Sequence, residues 1–569
     1  MFHLFGQPQK KNKATFQRLK IFVILIWLAL FTGGMIGHQG SLFLYTLFSA
    51  VLTIVLISGL YRQSSYGYLF LVVFFWMGFW LKLTVHNLFQ YDYVEPIGRF
   101  DGSSTAWDEA LLVPTIAGIG ILLGRWLYSF VEVGTVRKIT ADSSRVPCWY
   151  PSARRTIWGL LMVTTAGLAA INIIYGIQQS GLTPRNILMW PLNALIYWLL
   201  STGLSMAIAT ILWWDVCLNR SISWSIYAVF TEAFLSTMSL LSRGLFVFHL
   251  IPPLVALFQN KNLLNWSSQK QFIRILAVLT VFFIISISMV STARSYLYQQ
   301  GQDFRTTTLK RLIRFEVLQG KIPAVVEMIR KNEPLEKQLP DIKSHGLRKD
   351  IPLPVQVETL KREQAALEQA ILQEREKTAG MLNTPSGQLR LILSEFAYQM
   401  TGGFLDRISA LAVDRWIGME GAMSASSYPG KDSALFLGAL TENSKGNHTS
   451  LYQTISQSIY QASDTEKYRF ASLPGAAAFL YFSGSLWFVL WGMFGLVLLL
   501  LAAEHLTHYL TRNVILCALV GMNAANAISQ LGIVPRQLLI HFGMIFASIF
   551  LIWLIQLRSS IHLGRTSTS

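Results

Sequence analysis

The stretch FIRILAVLTVFFIISISMVSTAR (272–294) runs directly into SYLYQQGQDFRTTTLKRLIR (295–314), and the change of character between them decides the fold. The first part is long enough to cross a hydrocarbon core, which takes roughly 20 residues of helix. The second is rich in Arg, Lys, Tyr and Thr and suits a segment lying on a membrane surface. From Arg294 to about Pro474 the chain stays polar, and then apolar segments resume. Nine apolar segments precede this block and three follow it. The predicted organisation is therefore transmembrane helices 1–9 over 1–293, a large external loop domain over 294–474, and helices 10–12 with a cytoplasmic tail over 475–569.

Composition agrees with that division. Of 569 residues, 52% are hydrophobic and only 14% charged, against about 25% charged in an ordinary soluble domain. Windows of spanning length fall at 20–37, 41–60, 66–86, 109–130, 156–176, 188–213, 222–241, 244–259, 272–292, 483–503, 511–529 and 537–557. Only helices and closed barrels satisfy their backbone groups in lipid, and runs this long exclude barrel strands. The expectation is an all-α polytopic membrane protein with about twelve spans and a mainly helical external domain. The first segment lacks a small-residue cleavage pattern after it and reads as a retained anchor.

The net charge of +17 follows the positive-inside rule rather than nucleic-acid binding. Basic stretches lie at the N-terminus (Lys10, Lys11, Lys13, Arg18, Lys20), across 125–155, across 259–274 and in the C-terminal tail (Arg558, Arg565). With twelve spans all of these fall on one side, the cytoplasm, together with both termini. The acidic segment 87–109 and the 294–474 block fall on the other. The three cysteines, Cys148, Cys217 and Cys517, all fall at the cytoplasmic side and form neither a disulfide framework nor a metal-ligand spacing.

Within the block, 315–332 can form an amphipathic helix, from Pro323 onward, and Pro334 to Pro354 reads as loop. Residues 356–379 are the clearest soluble helix, with Leu360, Leu367 and Ile371 on one side. Residues 387–426 are apolar enough to pack on the membrane domain while carrying Arg390, Glu395, Asp406, Arg407, Asp414, Arg415 and Glu420. Residues 427–450 look like loops around a short apolar stretch, and 451–471 read as helix.

Arg243, in SLLSRGLFVFHL, is the sharpest single signal. An arginine between two short apolar segments is expensive in lipid and faces a cavity, the interface or an anion; snorkelling to a headgroup is the plainer alternative. The pairs Asp406-Arg407 and Asp414-Arg415 stand eight residues apart, which on a helix places their arginines about 80° apart on one broad face. Two such guanidinium groups can grip a pyrophosphate, or each can simply pair with its neighbouring aspartate. Arg294, Arg305 and Arg469 lie near the membrane plane. Glu420, Asp414, Glu395 and His448 are the candidate general bases. Carboxylates of the loop Asp92–Glu109 fit no defined metal motif. No P-loop, dinucleotide fingerprint, H-E-x-x-H or nucleophile elbow occurs, which argues against ATP-driven work. No cofactor is expected.

The Ser242-Arg243-Gly244 turn, the large late insert and SLPGAAAFLYFSGSLWFVLWGMFGLVLL (472–499) together resemble the Wzy-type polymerases of O-antigen and exopolysaccharide repeat units. The resemblance covers the architecture from about 220 to 557; the first two hundred residues match only as generic spans. It implies a GT-C-like glycosyltransferase of the bacterial inner membrane whose partner is an undecaprenyl-pyrophosphate-linked glycan, with a chain-length regulator protein as a further partner. It further implies pyrophosphate binding by Arg243, Arg407, Arg415 and Arg294, and proton removal by Glu420 or Asp414. An O-antigen ligase moving the glycan to lipid A-core shares this donor. A flippase or export component and a structural scaffold are the readings from other classes.

Overall fold

In a computed structural model, the structure describes residues 13–61, 65–89, 93, 95–132, 145–260, 269–301, 413–442, 450–458, 473–532 and 535–566. All regular structure among them is helical: α1 (Lys13–Ile36), α2 (Leu42–Tyr61), α3 (Tyr66–Phe89), α4 (Ser104–Glu132), α5 (Tyr150–Tyr175), α6 (Leu192–Cys217), α7 (Ser223–Leu240), α8 (Arg243–Gln259), α9 (Gln269–Gly301), α10 (Met419–Ser427), α11 (Ser433–Thr441), α12 (Leu451–Ile455), α13 (Gly475–Tyr481), α14 (Leu486–Thr511), α15 (Val514–Ser529) and α16 (Pro535–Thr566). The chain divides into two compact units, one of Met1–Val290 with Leu405–Ser569 and one of Ser291–Phe404. The first unit therefore holds the membrane helices, α9 as far as Val290, and also the segment from α10 to α13, which packs on α4 and α14.

Among the described residues, eight helices are long and apolar enough to cross a membrane: those within α2, α3, α4, α5, α6, α9, α14 and α16. The remaining four predicted spans are helices too. Three of them, Lys20–Ile36, α8 and α15, are apolar but of 17 residues or fewer. The soluble helices expected at 315–332 and 356–379 lie outside the described residues. The apolar stretch inside 427–450 is itself a helix, α11, started by Asp432, whose carboxylate accepts from Leu435 N. Of the helix expected over 451–471, Leu451–Ile455 is helical and is followed by Gln457 with a left-handed φ of 52°, while 459–471 lie outside the described residues.

Two helices organise the first unit, the long α14 and the shorter α15. α14 lies along α4 and α15, and α15 lies along α3 and α8. The start of α3 shows why the packing is specific. Its first N–H groups have no partner within the helix and need an acceptor in an interior with little water. Glu504 of α14 supplies one, accepting from Ser65 Oγ at 2.7 Å, Tyr66 N at 3.1 Å and Gly67 N at 2.8 Å. A carboxylate at a helix N-terminus also meets the positive end of the dipole. Three further helices are tied at Asp215 of α6. Its carboxylate accepts from Arg154 Nε and Nη2, Tyr150 OH and Trp158 Nε1 of α5, and from Ser225 Oγ of α7.

α3 and α15 approach each other through glycine. A Cβ on Gly521 would lie 2.5 Å from Gly67 N and 2.7 Å from Gly67 Cα. Gly521→Ala is therefore expected to lower the melting temperature of the purified protein by the equivalent of about 1–3 kcal/mol of overpacking. Gly495→Ala, where an added Cβ meets nothing within 4 Å, serves as the matched control and should leave it unchanged.

Candidate functional site

α3 contains a π-turn at Met77–Leu81. A π-turn takes one residue more than an α-turn and re-aims the side chains that follow it. Gly78 within it lies directly against the backbone of Ile417 and Gly418, so the chain entering α10 can approach α3 as closely as backbone allows. Phe74, one turn earlier, stacks on Trp416 with centroids 4.8 Å apart and meets Phe248 of α8 edge-on. These contacts fix residues 413–418 between α3 and α8.

Two polar side chains on α3 point into that segment. Lys82 Nζ donates to Glu420 Oε1 at 2.7 Å and to the Asp414 carbonyl at 2.9 Å, with side-chain exposures of 1% for Lys82 and 5% for Glu420. One turn on, His86 Nε2 lies 2.9 Å from Asp414 Oδ1. The imidazole is nearly buried, whereas 24% of the Asp414 side chain reaches solvent. Tyr93 stacks flat on His86 at 4.3 Å, and its hydroxyl is buried with no hydrogen-bond partner among the described residues. Burial, and then the Glu420 and Asp414 carboxylates, hold the Tyr93 phenol well above its ordinary range. It therefore remains a neutral O–H able to donate.

Asp414 and Arg415 do not lie on a helix as their spacing from Asp406 and Arg407 predicts. Residues 413–415 form a turn, and the helix begins only at Met419. The reason is visible in the hydrogen bonds: the Asp414 carbonyl is committed to Lys82, across the chain, instead of to an N–H one turn ahead. The turn separates the two side chains. Asp414 turns inward to His86, while Arg415 is exposed and reaches α8, where a Cβ on Gly244 would lie 3.8 Å from its Nη2. Arg243, the residue before Gly244, opens α8. Its helix starts after an extended Ser242 that makes no side-chain cap. The site thus combines the N-terminus of a 17-residue helix with Arg243 on its first turn and the Arg415 guanidinium beside it. That arrangement suits a phosphate or pyrophosphate group.

The structure brings Arg243, Arg415, Asp414 and Glu420 to one end of the first unit. Arg407, Glu395, Arg305, Arg469 and His448 lie outside the described residues. Arg294 is on α9, in the second unit. Of the acidic residues in Asp92–Glu109, Asp108 accepts from Ser41 N and Glu109 binds Lys431 Nζ and Tyr481 OH, while Asp92 lies outside the described residues. Among the described residues no group of three or more His, Cys, Asp or Glu is placed to hold a metal ion. Lys82, His86 and Tyr93 are the members that sequence reading did not single out. A lysine four residues before a histidine, late in an apolar span, was the available signal. No protein-family model, curated protein or solved structure matches the chain.

Removing one partner of a buried ion pair strands the other and costs about 3–5 kcal/mol, whereas replacing both by apolar groups is often close to neutral. Lys82→Met and Glu420→Met alone should each depress the melting temperature strongly. The double variant should recover most of the loss. Additive losses in this cycle would show that the two groups are not coupled.

Proposed function

We propose that the protein is a repeat-unit polymerase of the Wzy type, which lengthens a glycan by transferring it from its lipid pyrophosphate to the sugar of a new lipid-linked unit. The observation that carries this reading is the pairing, in adjacent residues, of a guanidinium turned toward the Arg243 helix start and a carboxylate oriented by histidine. An acceptor hydroxyl attacks the anomeric carbon as the bond from that carbon to the pyrophosphate oxygen breaks. The proton passes to the base, and the lipid pyrophosphate leaves with the bonding pair. Attack opposite the leaving group inverts the centre.

Arg243 and Arg415 hold the departing pyrophosphate, whose charge increases as the bond breaks. Asp414 is the base: it is the more exposed carboxylate, and His86 fixes its orientation. Glu420, nearly buried and engaged by Lys82, acts as the anchor of the turn. Tyr93 donates from the neighbouring wall. On this reading the site faces the outer side of the bacterial inner membrane, with both termini in the cytoplasm and the 294–474 block in the periplasm.

Purified protein given an undecaprenyl-pyrophosphate-linked repeat unit should produce a ladder of longer glycans without a nucleotide. Asp414→Asn should lower the turnover rate by about 10²–10⁴-fold while leaving the melting temperature near that of the unaltered protein. Arg243→Lys and Arg415→Lys keep the charge but lose the two-pronged geometry, and each should weaken substrate binding and shorten products. Transfer that appears only when lipid A-core is added would make the protein a ligase. Unaltered ladders from all three variants would remove these residues from catalysis.

A further inference from the structure

Arg243 follows a turn whose backbone is held from outside its own two helices. The last four carbonyls of a helix lack an intrahelical partner and need donors where water is scarce. α7 finds two donors inside the turn. Ser242 N donates to the Thr237 carbonyl at 3.2 Å, and Leu241 N to the Met238 carbonyl at 3.4 Å. This pattern closes a helix through a left-handed residue, usually glycine. Here that residue is Leu241, with φ 50° and ψ 35°, and it is buried. A leucine side chain disfavours the conformation, so contacts from elsewhere must hold the turn.

The other two carbonyls make those contacts. Ser239 O accepts from Asn172 Nδ2 of α5 at 2.9 Å, and Leu240 O accepts from Ser180 N at 2.8 Å. Asn172 is fully buried, and its amide fits only one way round. Nδ2 faces the carbonyl oxygens of Ser239 and Gln178, which can only accept, while Oδ1 accepts from Gln178 N at 2.8 Å. One asparagine thereby ties the loop after α5 to the last turn of α7. Beyond Arg243, and six residues along α8, His249 is fixed by Glu232 and the Ser201 carbonyl. The stretch from Ser239 to His249 is clamped at both ends, with Arg243 between the clamps.

We propose that Asn172 is a positioning residue for Arg243. It acts through the backbone of the α7–α8 turn, so that the Arg243 guanidinium starts from a fixed place. The role rests on the reading that Arg243 binds the lipid pyrophosphate, and it supplies what that reading needs. Two-pronged contact by a guanidinium is directional, and misplacing a binding group by about 1 Å can cost about 10²-fold.

The test is the affinity of the full chain in detergent for undecaprenyl pyrophosphate, read beside the melting temperature. Asn172→Ala should raise Kd about tenfold or more. In an Arg243→Lys background it should raise Kd little further, because both changes act through one contact. A purely structural role would lower the melting temperature and leave the Kd of the folded protein unchanged. Asn172→Ser, which keeps one short donor, should fall between, and it decides the matter if Asn172→Ala does not fold. Asn186→Ala removes an exposed side chain of the same loop, one that donates to the Tyr175 carbonyl of α5, and should leave Kd unchanged. No binding by the unaltered protein, or an unchanged Kd in Arg243→Lys, would remove Arg243 from pyrophosphate binding and the positioning role with it. Weakened binding by Arg243→Lys beside an unaltered Kd in the Asn172 variants would overturn the positioning role alone. So would full additivity of the two changes, or failure of both Asn172 variants to fold.

Discussion

An ammonium and a carboxylate held away from water must meet each other, and the pair Lys82–Glu420 imposes that condition on everything around the candidate site. Each ion alone would cost several kcal/mol to bury. Lys82 cannot leave, because it is part of a membrane-spanning helix whose neighbours enclose it. The chain entering α10 must therefore come to it. Once there, the Asp414 carbonyl satisfies a second Lys82 proton, and the turn this creates sends Asp414 to His86 and Arg415 to α8. The direction of the Asp414 and Arg415 side chains is thus set by a third group, Lys82.

The same rule governs the other buried acids. Asp215 collects donors from α5 and α7. Glu232 of α7 binds His249 Nδ1 at 2.9 Å, while His249 Nε2 faces the Ser201 carbonyl inside the π-turn of α6. Glu504 of α14 caps α3. Apolar packing alone discriminates poorly between neighbouring helices in lipid, because the tails are as apolar as the side chains. Each polar node here joins helices that are not consecutive in the chain, or joins three at once, and so specifies which faces meet.

Helices were the legible part of the sequence, because membrane thickness sets a length that a run of apolar residues either meets or fails. All twelve apolar windows are helices, and eight meet that length and composition test. Arg243 was legible for a related reason: a cation in so apolar a setting has few places to go. Lys82 and His86 were not. Their partners are 338 and 328 residues away, and a lone lysine near the end of a span reads as a headgroup contact. The error at Asp414-Arg415 came from the opposite direction. Local spacing favours a helix there, but a long-range bond from Lys82 to a backbone carbonyl competes with the helix and wins. The division of the insert was also illegible, since the polar composition of 413–458 conceals how well its small apolar helices pack on α4 and α14.

Displacement at a sugar carbon sets a geometric demand that a straight helix would serve badly. The base and the leaving group act on opposite faces of the reacting carbon, so the groups that serve them must diverge. Two arginines on one helical face would both attend the leaving group and leave the base to another element. A turn lets neighbouring residues divide the roles, Asp414 inward and Arg415 outward, with the separation fixed by covalent connection and by the Lys82 bond. On the proposed reading, the break in the helix is therefore what makes the site competent: the anion is held from the α8 side and the proton is taken from the α3 side. The close contact between Gly78 and Gly418 is what brings the turn at 413–418 against α3, where this reading needs it.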